Sequence, residues 1–236
     1  MGQTRNIYKS NDTFLNDAYD RMVAQLYIKK QKSDLRAITV SGTEPGVGST
    51  SISINLAISM ADAGWKTLLI DADLRKESRV KRLNEATSGL AEYIMYDTVK
   101  MTDVIDKTNH SNLSYMSSGS KEINVVSALC SVRMKELMGT LRDEYDYIII
   151  DTPALSSAPD AVILSTIVDG VLLVTSQQKG YSIKAIAAAQ KQLEEDGANI
   201  IGIVVNRVDQ AEYRRAMKNY DYFKKHKYKV KKNKKA

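Results

Sequence analysis

The stretch Ala37-Ile38-Thr39-Val40-Ser41-Gly42-Thr43-Glu44-Pro45-Gly46-Val47-Gly48-Ser49-Thr50-Ser51 constrains this chain more than any other. A β-branched run passes through glycines straight into a helical pattern, Thr50 to Ala63. A glycine-rich turn of this kind lets backbone N–H groups point inward at an anion, and the helix that follows presents its unpaired N–H groups and positive dipole end to the same point. The pattern G-x-x-x-x-G-K-[S/T] would place lysine at position 49, where this chain has Ser49, and its first glycine at Thr43, with Gly42 one place early.

Around this loop the chain repeats one grammar. Strand one is Ala37 to Ser41, and Gly64 stands where a helix-ending glycine should sit. Strand two is Thr67-Leu68-Leu69-Ile70-Asp71, and further short apolar runs occur at Leu113 to Ser117, Tyr147 to Asp151, Val168 to Thr175 and Asn199 to Asn206. Runs without strict alternation read as strands buried on both faces. Helical patterns at Val132 to Glu144 and Ser182 to Glu195 separate several of them. The expected fold is therefore α/β, a doubly wound and mostly parallel sheet, with ligands at the carboxyl ends of the strands. That rule selects Asp71 and Asp73 after strand two and Asp151 after Ile148-Ile149-Ile150, carboxylates suited to a hydrated Mg²⁺ beside phosphate.

Ahead of the core, Phe14, Ala18, Met22 and Leu26 recur every four positions within Asp12 to Lys30, an amphipathic helix that covers either its own sheet or a neighbour. The organisation expected is an N-terminal helical region over 1–36, one P-loop domain over 37–210, and a Tyr/Lys-rich tail without fixed structure over 211–236. The net charge of +6 belongs to that tail, because Lys224, Lys225, Lys227, Lys229, Lys231, Lys232, Lys234 and Lys235 supply more than all of it. The remaining body is close to neutral, which argues against a nucleic-acid-binding face. Tyr213, Tyr220, Tyr222 and Tyr228 lie in this basic segment as accessible hydroxyls. One cysteine, Cys130, excludes an internal disulfide framework and suits a reducing cytosol; it is expected to be a packed thiol. No run approaches the roughly 18 apolar residues of a membrane span.

Taken together, these residues resemble the bacterial tyrosine kinases of capsular and exopolysaccharide synthesis, in the form where the kinase is a free cytoplasmic chain. The resemblance runs from about Asp17 to the tail. Its carriers are Ser41 to Gly48 leading to Asn55-Leu56-Ala57, then Thr67 to Arg75, Arg133 to Leu137, Glu144 to Pro153, Asp169 to Val174 and Gly202 to Asp209. It implies a P-loop NTPase fold of the deviant-Walker, MinD/ParA-like type and ATP-dependent phosphorylation of protein tyrosines, beginning with the tail cluster. Gly46, Val47, Gly48, Ser49, Thr50 and Ser51 would bind the nucleotide, with backbone N–H groups from Gly46 to Thr50 on the β-phosphate. Thr50 and, through water, Asp73 and Asp151 would hold Mg²⁺. Asp71 would orient the attacking phenol or accept its proton, and Asn206 stands where related ATPases contact the base. A transmembrane adaptor of the chain-length-regulator type would activate the kinase and recruit it to the inner face of the membrane, and a cognate tyrosine phosphatase would oppose it.

The chain departs from the family at three places. Ser49 removes the cation that follows charge into the transition state, a loss for which Arg75, Lys76 or Lys66 are candidate substitutes. The E-x-x-R-x-x-R oligomerisation signature would fall on Asp17, Asp20 and Val23, so both arginines are absent and homo-oligomerisation is left open. The Pro-rich segment is replaced by Lys121 to Val126, without proline. Two other readings stand beside the kinase: an inactive nucleotide-binding regulator or scaffold of the polysaccharide machinery, and a partitioning or cell-division ATPase. The last lacks support, because Glu44 occupies the place of its signature lysine.

Overall fold

The computed structural model describes residues 4–8, 13–75, 88–119, 123–179 and 183–217. Tyr220, Tyr222, Tyr228 and Lys76 lie outside them. Among the described residues eight strands form one sheet: β1 (Thr4–Arg5), β2 (Ala37–Gly42), β3 (Thr67–Asp71), β4 (Ile105–Thr108), β5 (Leu113–Met116), β6 (Tyr147–Asp151), β7 (Gly170–Ser176) and β8 (Ile200–Asn206). Their spatial order is β1-β4-β5-β3-β6-β2-β7-β8, parallel throughout except for the β4–β5 pair. The doubly wound sheet is thus as expected, with the glycine-loop strand β2 between β6 and β7. From β2 the chain goes to β3 on one side, and from β6 it crosses β2 to β7 on the other. A reversal of this kind opens a crevice beyond the carboxyl ends of the strands.

Helices cover both faces. On one side lie α1 (Thr13–Ser33) and α2 (Ser49–Asp62), on the other α3 (Leu90–Met95), α4 (Met101–Val104), α5 (Val125–Leu129), α6 (Val132–Glu144) and α7 (Asp160–Ser165), with α8 (Ile183–Glu195) packed against β7 and β8. The strands divide their side chains by alternation. Ile38, Val40, Leu69 and Ile149 meet α1 and α2, whereas Ala37, Leu68, Ile70, Ile148 and Ile150 meet α6 and its neighbours. Both sets are buried, which is why these strands read as continuous apolar runs.

Several expectations change. The buried stripe of α1 is Tyr19, Val23 and Leu26, spaced i, i+4, i+7; of the expected series Leu26 belongs to it and Met22 packs partly buried against the same core, while the Phe14 side chain lies outside the described residues. These residues share a core with Leu56 and Met60 of α2, so α1 covers its own sheet. Residues 211–217 do have fixed structure: they complete α9 (Gln210–Met217). Cys130 is exposed at the end of α5 rather than packed. Strands β1 and β4 have no signature in the sequence, since Thr4–Arg5 and Ile-Asp-Lys-Thr carry no apolar run; pairing with neighbours makes them strands. Among the described residues no helix is long and apolar enough to cross a membrane.

Candidate active site

The loop between β2 and α2 is held from three sides. The Thr43 N–H donates to the Val174 carbonyl at 2.8 Å, the Leu155 N–H donates to the Gly42 carbonyl at 2.9 Å, and the Asn206 side-chain amide donates to the Val47 carbonyl at 2.9 Å. Val47 is buried as the loop's anchor. Gly46 and Gly48 sit at φ of 76° and 94°, a left-handed backbone that a side chain would strain. A Cβ at Gly48 would also strike the Asn206 amide. Gly48 caps α2 with no side-chain hydrogen bond, so the first N–H groups of the helix face outward with the dipole's positive end.

The loop forms one wall of a cleft of about 500 Å³ whose lining includes Glu44, Gly46, Gly48, Ser49, Thr50, Ser51, Asp73, Arg75, Thr152 and Arg207. Of the residues selected from sequence, the loop glycines, Ser49, Thr50, Ser51 and Asp73 therefore come together at its surface. Asp71 and Asp151 are register partners on β3 and β6, one on each of two adjacent strands. Asp151 is buried and accepts from the Ser53 hydroxyl at 2.9 Å, while the same hydroxyl contacts the Ser49 carbonyl at 3.0 Å. Asp71 is half-buried and accepts from the Asp73 N–H at 3.0 Å, a contact that fixes the turn carrying Asp73 into the cleft. Both carboxylates, after burial, help push the nearby Tyr115 phenol upward.

Three placements were not foreseen. Ser53, one turn into α2, links Asp151 to the loop; a serine inside an apolar helix face was the signal. Arg207, at a positive φ of 54°, enters the cleft wall from the end of β8. Asn206 uses its amide on the loop and its carbonyl oxygen on the Arg207 N–H at 2.8 Å. Of the candidate substitute cations, Arg75 lines the cleft, but Lys66 does not: it precedes β3 at the opposite end of the sheet, with its ammonium 4.8 Å from the Tyr145 ring.

The donor set suits a hard cation and phosphate. Hydroxyl and carboxylate oxygens are what Mg²⁺ prefers, and no group of three His, Cys, Asp or Glu converges among the described residues. Mg²⁺ commonly takes one or two carboxylates and completes its shell with water and phosphate oxygens.

An AAA domain model matches residues 35–199, most of the chain and the whole of the sheet from β2 to β7. The tyrosine-protein kinase CpsD of Streptococcus pneumoniae serotype 4 is 35% identical over 193 residues, covering 81% of this chain and 83% of that protein. The chain belongs to the bacterial tyrosine kinases. Among solved structures, the VpsO kinase domain is 28% identical with a TM-score of 0.73, covering 83% of this chain and 96% of that one. A wider likeness reaches the septum-site-determining protein MinD of Pyrococcus horikoshii, solved with Mg-ADP. It covers 78% of this chain and 76% of that one at a TM-score of 0.57 and 23% identity, and so shares the P-loop fold. In this chain the cleft is lined by the glycine loop, with Ser49 and Thr50, and by Asp73 after β3.

Proposed function

We propose that this protein is an ATP-dependent tyrosine autokinase acting in capsular or exopolysaccharide synthesis, with a rate limited by Ser49. The observation that carries it is the meeting of the uncapped start of α2, the left-handed Gly46 and Gly48, Thr50 and Asp73 on one cleft, with Asp151 directly behind. The N–H groups from Gly46 to Thr50 bind the β-phosphate, and Asn206 keeps the loop in that shape. Thr50 and, through water, Asp73 and Asp151 would hold Mg²⁺, which would neutralise charge on the phosphate oxygens. Asp71 orients the attacking phenol and takes its proton as the phosphorus–oxygen bond to ADP breaks and the bond to the tyrosine oxygen forms.

The acceptors are the tail tyrosines, with Tyr220, Tyr222 and Tyr228 ahead of Tyr213. The Tyr213 hydroxyl donates to Asp17 on α1 at 3.2 Å, so it is engaged within the fold; burial, together with that carboxylate, raises its phenol pKa. A transmembrane adaptor activates the kinase at the inner face of the membrane, and a tyrosine phosphatase reverses it. Titration calorimetry with Mg-ATP tests the site: saturable binding at sub-millimolar nucleotide is expected, and no heat at millimolar nucleotide would remove this reading. A second reading, a nucleotide-binding regulator without transfer, is favoured by one observation: between Gly42 and Ser51 the loop carries no side-chain cation.

A further inference from the structure

Arg75 is held in an unusual way for a cleft residue. Its Nε donates to Asp160 Oδ2 at 3.0 Å and its Nη2 donates to Asp160 Oδ1 at 2.7 Å, a side-on two-point pair. Asp160 opens α7 and its side chain is fully buried, while the Arg75 side chain is 39% exposed and lines the cleft. Of the five guanidinium donors, this geometry uses the Nε edge and directs the Nη1 end away from Asp160. A guanidinium clamped on one edge loses little further freedom when its other edge meets a phosphate.

Position separates Arg75 from Arg207, the other cation that lines the cleft among the described residues. Arg75 follows β3, on the side of the sheet where Asp71, Asp73 and Asp151 gather, whereas Arg207 follows β8. Four strand spacings lie between β3 and β8, about 19 Å. The phosphoryl group that is transferred belongs on the carboxylate side, where the residues that would hold Mg²⁺ stand. Arg207 stands on the side of Asn206 instead.

We infer that Arg75, fixed by the buried positioning residue Asp160, supplies the transferring phosphoryl group with the side-chain cation that Ser49 takes away from the loop. This rests on the reading of the cleft as the Mg-ATP site. The charge is preorganised, so it stabilises developing negative charge on the equatorial oxygens without reorganising at the moment of transfer. A cation facing the terminal phosphate should separate ATP from ADP, which a purely structural ion pair would not do.

The test measures Mg-ATP and Mg-ADP affinity by calorimetry, with tail autophosphorylation alongside, for the full chain, Arg75→Gln, and Arg75→Gln with Asp160→Asn. The double variant removes both charges, leaves no buried carboxylate unpaired, and has its folding checked by circular dichroism. Both variants should bind Mg-ATP about ten- to hundredfold more weakly with Mg-ADP unchanged, and lose about two to three orders of magnitude in rate. In a Ser49→Lys background the rate loss from Arg75→Gln should shrink to about tenfold or less, because the loop then carries its own cation. An unchanged ATP-to-ADP ratio in the folded double variant, or an equal loss with and without Ser49→Lys, would overturn the role of Arg75 and leave the site reading standing. If the unaltered chain binds neither nucleotide, the site reading falls and this inference with it.

Discussion

At the amino end of the parallel sheet Asp169 accepts from the N–H groups of Arg36 and Ala37 at 2.8 Å each and from Arg142 at 2.8 Å. Beside it Trp65 stacks on Tyr27 at 5.6 Å and meets Tyr147 edge-on at 5.2 Å, and the Lys30 ammonium lies 4.3 Å over the Tyr147 ring while donating to the Asp146 carbonyl at 2.7 Å. At the carboxyl end the arrangement is opposite: α2 starts without a side-chain cap, and the loop is shaped by glycines in left-handed backbone. At one end Asp169 pairs two backbone N–H groups and a guanidinium within the fold, and at the other the first N–H groups of α2 open onto a cleft. The difference teaches that a parallel sheet can be stabilised at one rim and left chemically available at the other, since the strands between them are buried on both faces.

Substitutions should separate the two rims. The largest effect belongs to Asp151→Asn, which keeps the volume and a partner for Ser53 but removes the charge. Autophosphorylation should fall about two to three orders of magnitude in a radiolabel assay, with little change in melting temperature. A large stability loss with activity retained would break the comparison.

Next is Asp169→Ala, which strands two backbone N–H groups and a guanidinium and should cost about 2–3 kcal/mol in denaturant unfolding, while nucleotide binding persists. Burial alone would raise the Asp169 carboxyl, but Arg142 and the N–H groups of Ala37 and Arg36 outweigh it and hold it below the usual carboxylate range. A depressed carboxylate contributes stability that is present above its unfolded pKa, about 3.9, and is lost as pH falls through the folded value. The stability gap between the native chain and Asp169→Asn should therefore be full at neutral pH and close on acidification below about pH 4. A gap that widens in acid would contradict this.

The smallest effect concerns the junction of the basic segment with α1. Tyr213→Phe removes the hydroxyl that donates to Asp17 and should cost about 0.5–1.5 kcal/mol, read as faster hydrogen exchange in α9 with the sheet unaffected. Unchanged exchange would show that the contact does not hold α9.

What the sequence made legible follows the same division. β3 and β6 were readable to the residue because an apolar run closed by aspartate is a local signal, and Gly64 ends its helix at a φ of 97° because only the backbone there decides. The cleft's glycines, Thr50 and Asp73 were legible for the same reason. Contacts distant along the chain were not. Arg75 and Asp160 are 85 residues apart, Ser53 and Asp151 are 98 apart, and Tyr213 and Asp17 are 196 apart; each pairing exists because the sheet order brings two loops or helices together. The basic composition after Gln210 pointed to a chain without structure, yet α9 forms over its first residues, with Tyr213 bonded to α1. Composition reports charge, and tertiary contact overrides it.

The central claim is that this cleft transfers phosphate from Mg-ATP to tail tyrosines despite Ser49. Mass spectrometry of the full chain after incubation with Mg-ATP and an adaptor's activating segment tests it most directly, beside Ser49→Lys. Phosphate on Tyr220, Tyr222 or Tyr228 of the unaltered chain, at a higher rate in Ser49→Lys, is the predicted result. An unmodified tail in the native chain, with phosphate only in Ser49→Lys, would contradict it.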